Sequence, residues 1–329
     1  MRFAKQLLTL GLALGSAGLV SCSIPKPECT VGQTTTIPVG QSGVMAFSVR
    51  YVLQSGTGEC AELKGDVIGM QSYHPATADD PQIRDFAKTS IAIRTQSHGE
   101  LVWMNEDFGI VNEGDNPNAI GDFTAAEPDA SDLCVVPSAE ARVVFPGAPV
   151  DLGIPCTTGG TECGDNGFPT ATCEEVDPMD PTILSCVYTF AAADLGYKWS
   201  NIQFYVTAAA TGTQFTADLE VTLNGCTATY KAIGMWPAVD CTDYNLGTPD
   251  DRLCHPEPDP KNAELPRPYG SGINPDFGPV VCDASIAVVP VVDDYYSLFA
   301  GAPLSVPRCV LQNDTIPQLE GFPELVPAE

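Results

Sequence analysis

The chain has 329 residues, with 42 Asp and Glu against 15 Lys and Arg, for a net charge of −27. A surface this acidic repels phosphate backbones and no Lys/Arg cluster relieves it, which excludes nucleic acid as a partner. Apolar residues make up 44% of the chain, enough to bury a core, and 30 Gly with 29 Pro demand frequent turns.

Arg2 and Lys5 form a short positive start. Leu7 to Val20 then carry no charge and are rich in Leu, Ala and Gly. This run is too short for a membrane-spanning helix, which needs about 20 residues, and has the layout of a secretory signal. It ends in Leu19-Val20-Ser21-Cys22. That tetrapeptide resembles the lipobox of bacterial lipoproteins. The resemblance implies cleavage before Cys22 and a diacylglycerol on its sulfur. It also implies an acyl chain such as palmitate on the new amino group, two or more chains giving stable anchoring. Parity of the 13 Cys agrees, because removing Cys22 leaves an even number. Ser23, where related lipoproteins of the inner membrane carry Asp, points to the outer membrane. The expected partner is therefore a membrane reached through a lipid anchor on an exported chain.

Residues 1–21 are the expected signal peptide and 22–33 a lipidated tether containing Pro25, Pro27 and Cys29. From there the pattern predicts an all-β body over 34–312, built as one large or two packed antiparallel β-sandwiches with disulfide-stapled loops and little helix. Met45, Phe47, Val49, Tyr51 and Leu53 alternate with smaller or polar residues and predict a strand with one apolar face. A second strand is expected over Cys60, Leu63, Val67 and Ile68. Asp80-Pro81 has the form of a helix start. Ser90 to Thr95 and Leu101 to Met104 are expected as strands about a His98-Gly99 turn. Residues 105–132 are an acidic loop, and Leu133 to Val136 and Ala141 to Phe145 are further strands.

Residues 156–186 hold Cys156, Cys163, Cys173 and Cys186 with little apolar material. Two disulfides are expected to fix this insert, in any of three pairings. Asn224-Gly225 is a strong signal for a type I′ hairpin turn. Folding about it sets Leu223, Val221, Leu219 and Ala217 opposite Cys226, Ala228, Tyr230 and Ala232 on an apolar face. Thr222, Glu220 and Asp218 then oppose Thr227, Thr229 and Lys231 on a polar face. Asn201 to Thr207 is the expected neighbouring strand. Cys226 then has Cys241 as its nearest downstream partner. Residues 249–279 carry eight Pro and form an irregular connection, closed if Cys254 pairs with Cys282. Val280 to Val292 is a last β-prone run, and 313–329 a flexible tail. Cys60…Ile68-Gly69-Met70 is echoed by Cys226…Ile233-Gly234-Met235, but two occurrences make no repeat of fixed period.

The twelve Cys after Cys22 (Cys29, Cys60, Cys134, Cys156, Cys163, Cys173, Cys186, Cys226, Cys241, Cys254, Cys282 and Cys309) fit disulfides in an oxidising compartment. Zinc fits poorly, since no Cys-x-x-Cys occurs and the three His stand apart. No cofactor is expected, although Asp115-Asn116 with Asn118, and Asp165-Asn166-Gly167, offer oxygens of the kind calcium takes. No catalytic constellation emerges. Asp107-Phe108-Gly109 and Asp276-Phe277-Gly278 lack the rest of a kinase signature, and Gly40-Gln41-Ser42-Gly43 stops short of a nucleophile elbow. The body looks like the Cys-rich lipoproteins of myxobacteria, a resemblance that implies no activity. The function expected is a non-enzymatic binding, adhesion or structural module of the envelope, with a protein or glycan partner. The alternatives are a surface carbohydrate-active hydrolase with paired carboxylates and an accessory subunit of an envelope complex.

Overall fold

The computed structural model describes residues 27–32, 46–157, 171–175, 183–262, 267, 269–286, 292 and 306–320. Its strands and the α-helix whose bounds are described, in chain order, are β1 (Ala46–Gly56), β2 (Gly65–Tyr73), β3 (Ser90–Thr95), α1 (Gln96–Asp107), β4 (Ala119–Asp122) and β5 (Leu133–Phe145). Then follow β6 (Ala148–Thr157), β7 (Ala171–Glu175), β8 (Ile183–Phe190), β9 (Ala193–Val206), β10 (Thr211–Leu223) and β11 (Cys226–Met235). The last are β12 (Thr242–Asp243), β13 (Thr248–Pro249), β14 (Val280–Asp283) and β15 (Arg308–Leu311). Among the described residues no helix is long and apolar enough to cross a membrane.

Eight strands form one antiparallel sheet in the order β4-β3-β2-β1-β11-β10-β9-β5. Its two edges meet. Asn116 and Arg142 exchange backbone hydrogen bonds of 2.8 Å each, and Thr124 N–H donates to the Val135 carbonyl at 2.9 Å. Gly121 allows β4 to press against β5, since a Cβ there would lie 2.6 Å from the Ser138 oxygen. Around the ring the strands run β1, β2, β3, β4, β5, β9, β10, β11, so each neighbour in space is the next in sequence apart from the β6–β8 insert. This is an up-and-down closed barrel, which removes exposed sheet edges. The two facing apolar layers expected of a sandwich are here supplied by a single sheet folded back on itself.

The barrel interior is packed with side chains, as eight strands allow. Phe123, Phe204, Phe215 and Phe47 touch in succession, with centroids 5.8, 5.4 and 5.5 Å apart. Tyr51, Tyr197, Trp199 and Tyr230 fill the other half, and none of the four is more than 4% exposed. Gly234 makes room for the Phe215 ring, whose edge would lie 2.0 Å from an added Cβ. The predicted hairpin is present in the expected register, Leu223↔Cys226 through Ala217↔Ala232. Asn224 and Gly225 have φ of 51° and 85°, the positive pair a type I′ turn requires.

Several expectations are corrected. Asp80-Pro81 starts no helix; Asp80 Oδ1 accepts from Gln82 N–H in a turn, and Ala76 bridges to Arg84. The helix lies at Gln96–Asp107 instead, and Leu101 to Met104 is inside it. Thr95 caps it, its hydroxyl accepting from His98 N–H at 3.1 Å. Its inner face is Ser97, His98, Leu101, Met104 and Asn105, and it lies over one end of the barrel against β5. Cys60 sits in a 3-10 turn before β2, not in the strand. Leu53 is 42% exposed because the β1–β11 register shifts between Leu53 and Ser55.

Described residues after β11, among them Val239, Cys241, Cys254, Ile273, Phe277, Val280, Cys309 and Leu311, pack on the outer face of β1 and β11. Ile233 and Met235 point outward there and are covered by Val239, Ile273, Phe277 and Leu311. Residues 313–320 are docked rather than flexible. Gln318 is 3% exposed, its N–H donates to Gln214 Oε1, and Gln214 Nε2 donates back to its carbonyl. Arg50 on β1 donates to the carbonyls of Leu311, Gln312 and Asn313 and pairs with Asp314 at 2.7 Å.

Candidate functional site

Cys22 lies outside the described residues, as does Cys163. The segment that follows Cys22 is well placed, however. Cys29 is bonded to Cys134 at the start of β5. Cys29 N–H donates to the Ala126 carbonyl and Gly32 N–H to the Gly212 carbonyl, both at 2.8 Å. Thr30 Oγ1 lies 2.9 Å from Ser72 Oγ near the end of β2. Gly212, with φ of 67°, admits this strap; a Cβ there would lie 2.1 Å from the Thr30 oxygen. Three strand connections thus grip residues 29–32 at one pole of the barrel. The opposite pole carries α1, the Asn224-Gly225 turn and the Cys60–Cys226 disulfide.

The remaining described disulfides are Cys241–Cys282 and Cys254–Cys309. The pairings Cys226–Cys241 and Cys254–Cys282 are therefore wrong. Nearest neighbours in sequence are separated here because β1 and β2 bring Cys60 to the hairpin end, and β15 brings Cys309 beneath the 3-10 turn Asp251–Cys254. The sulfurs of Cys241, Cys254 and Cys309 lie within 4.8 Å of one another. They belong to two disulfides packed side by side, and a disulfide sulfur is not the thiolate a metal takes. In the insert, backbone register sets Cys173 opposite Cys186 and Cys156 opposite Leu184.

Inside the barrel, sequence reasoning missed two groups. Asp66 is 1% exposed and lies against the start of α1, with Oδ1 accepting from Val67 N–H at 2.7 Å. Burial raises its pKa to about 7, against the lowering influence of Ser97 and Gln96 at the helix N-terminus. Its Oδ2 finds no protein partner within hydrogen-bond geometry. His98 is fully buried, with Nδ1 2.8 Å from Thr95 Oγ1 and Nε2 3.3 Å from the Leu195 carbonyl. Burial lowers its pKa to about 4, Arg94 adding to the effect. Polar residues on a face that must be buried were the available signal: Asp66 is in phase with Ile68 and Met70.

Outside, a shallow groove of about 410 Å³ crosses β5, β9 and β10. Arg142 holds Asp194 through two bonds, Nε to Oδ1 at 2.8 Å and Nη2 to Oδ2 at 2.7 Å, which keeps that carboxyl below the usual range. Lys198 stands between Glu140 and Glu220 on the adjacent strands. Gly196 forms the low point between Arg142 and Thr222. The groove carries the carboxylates Glu140, Asp194 and Glu220 against the cations Arg142 and Lys198, and Asn116, Thr222 and Ser200 add hydrogen-bonding groups nearby. Such a surface offers hydrogen bonds and charge to a polar ligand. Asp115 already accepts from Asn105 Nδ2, Asn112 Nδ2 and Val144 N–H, which ties α1 to β5. Asp165 to Gly167 lie outside the described residues.

An all-β barrel with disulfide-stapled connections and an N-terminal strap is the body of a lipoprotein of the myxobacterial type. A family model described as MlpA matches residues 45–237, more than half of the chain, and the chain belongs to that family. Those limits coincide with the barrel, from the start of β1 to the end of β11, so the module packed outside it is an addition to the matched unit. A Myxococcus xanthus protein described as "Putative lipoprotein MlpA" is 36% identical over 129 residues, which cover 39% of this chain and 46% of that protein. The match thus spans just under half of the relative's length. No solved structure matches the chain.

Proposed function

We propose that this chain is exported, cleaved before Cys22 and held by lipid on Cys22 in the outer membrane, where the barrel serves as a non-enzymatic binding and structural module. The observation that carries this reading is the strap: seven positions after Cys22, the chain is fastened to one pole of the barrel by a disulfide and by backbone hydrogen bonds. A domain loaded through its N-terminus gains from that fastening, because a pull is taken by a covalent bond rather than by a frayed end. Membership of the MlpA family and the parity of the Cys support it.

The chemistry of the surfaces favours binding over catalysis. Asp66, the carboxyl raised into the range a general acid needs, is sealed among aromatic rings. A hydrolase would face two carboxyls across a cleft, whereas Lys198 stands between Glu140 and Glu220. The groove beside it would take a glycan or a polar protein segment.

Globomycin should make the unprocessed precursor accumulate, and Cys22→Ala should move the protein from the membrane to the soluble fraction. Density-gradient separation should place the parent protein with outer-membrane markers. A membrane fraction unchanged by both the inhibitor and the substitution would refute the anchoring.

A further inference from the structure

The strap enters beside Ser72, and Ser72 leads directly into Tyr73 and the β2–β3 connection. That connection does not turn tightly. It continues the hairpin beyond the barrel, with Asp85 N–H donating to the Pro75 carbonyl, Thr77 N–H to the Ile83 carbonyl, and a bridge from Ala76 to Arg84. On this projection Tyr73, Ile83 and Phe86 are 37%, 56% and 69% exposed. Phe86 is held in place, its ring 5.0 Å from that of His74, whose Nδ1 lies 2.9 Å from the Lys88 carbonyl.

We propose that this projection rests on the lipid surface to which the chain is anchored, with Ile83 and Phe86 in the interfacial layer. The inference rests on lipidation at Cys22. Cys29 is seven chain steps from Cys22, which can span at most about 25 Å, so the pole that holds the strap cannot stand farther off than that. The tether contains Pro25 and Pro27, and an extended Pro-rich chain covers about 3 Å per residue. The arm from Tyr73 to Asp79 is of the same length, and an extended hairpin covers about 20 Å. Tether and projection thus reach comparable distances from one pole. A Tyr ring such as Tyr73 is favoured at the level of the head groups, and Phe and aliphatic side chains form the apolar face that enters the head-group boundary. The residues alongside, Asp79, Asp80, Arg84, Asp85 and Lys88, leave the projection with a small net charge, so contact depends on apolar burial and not on anionic lipid. Trp103, at 59% exposed, and Val111, at 87%, are at the far pole. On this orientation they face away from the membrane.

Hydroxyl-radical footprinting separates the possibilities. The lipidated protein is reconstituted in protein-free phosphatidylethanolamine vesicles and compared with the Cys22→Ala protein mixed with the same vesicles. Labelling of Ile83 and Phe86 should fall at least threefold in the lipidated protein, while Trp103 and Val111 label equally in both. Ile83→Asp with Phe86→Asp, both at exposed sites, should still float with the vesicles but restore labelling of Tyr73. A protein that carries lipid by intact mass and floats, yet labels at Ile83 and Phe86 as Cys22→Ala does, overturns the proposal and leaves the anchoring standing. A protein without lipid that does not float overturns both. Protection seen in native membranes but not in protein-free vesicles overturns it in favour of a protein partner.

Discussion

Asp66 and His98 meet the same first turn of α1 and are displaced in opposite directions, the carboxyl to about 7 and the imidazole to about 4. Burial is the larger cause for both, because each is most stable in its neutral form away from water. Between pH 4 and 6.5 the unfolded chain carries a His98 proton that the folded chain lacks. Over nearly the same window the folded chain carries an Asp66 proton that the unfolded chain lacks. The first makes stability rise with pH and the second makes it fall, so the two slopes cancel.

Breaking that cancellation is measurable. A lowered His contributes stability that is lost as pH falls through its window. A raised carboxyl contributes stability that is lost as pH rises through its own. Relative to the parent, Asp66→Asn should gain stability by about 3 kcal/mol from pH 4 to 6.5, and His98→Gln should lose about as much over the same span. Urea melts at several pH values read the difference, and contributions common to parent and variant drop out. Parallel curves for parent and both variants would show that neither group is displaced as described.

The hairpin gives a sharper contrast. Leu219 is 1% exposed and opposite Tyr230, whereas Glu220 beside it faces solvent. Leu219→Ala should cost about 2–5 kcal/mol. Glu220→Ala should stay within about 0.5 kcal/mol. Denaturant midpoints of the two variants test this, and a reversed order would move the register by one residue.

Arg50 joins the barrel to the C-terminal module through three carbonyls and Asp314. Arg50→Ala removes a donor from the Leu311 and Gln312 carbonyls and the partner of Asp314, while the Asn313 carbonyl keeps Gln318 Nε2, at a local cost of about 1–3 kcal/mol. Hydrogen exchange should quicken in residues 306–320 while β9 and β10 keep their protection. Uniform loosening of the barrel would mean that the module and barrel unfold as one unit.

Non-reducing peptide mapping should find Cys29–Cys134, Cys60–Cys226, Cys241–Cys282 and Cys254–Cys309. Replacing Cys29 and Cys134 together by Ser opens a loop of 105 residues and should lower stability by about 2–5 kcal/mol. A Cys226–Cys241 peptide would contradict the course of β11 into the outer module.

Local chemistry determined a good deal of this protein in advance. The positive φ values of Asn224 and Gly225, and the alternation on either side, are properties of adjacent residues, so the hairpin and its inward face follow from the sequence. The lipobox-like junction is likewise contiguous. The stretch from Ser97 to Met104 was ambiguous because His98, Leu101 and Met104 satisfy a helical spacing while their apolar neighbours also suit a strand. Thr95, placed to cap, was the deciding residue. The echo of Cys60 and Cys226 is now seen to be no duplication. Ile68 lies eight residues after its Cys and points into the barrel, Ile233 lies seven after and points out.

Only the tertiary structure decided the rest, because the deciding contacts join residues far apart in the chain. Whether eight strands stack as two sheets or close as one depends on the approach of Asn116 to Arg142 and of Gly121 to Ser138, which no local pattern encodes. Disulfide partners depend on where strands deliver each Cys, and twelve Cys admit far more pairings than spacing can rank. Asp66 looked like one of 42 ordinary acids. Its raised pKa comes from being enclosed by Tyr51, Tyr197 and the start of α1, and burial of that kind exists only once the barrel has closed.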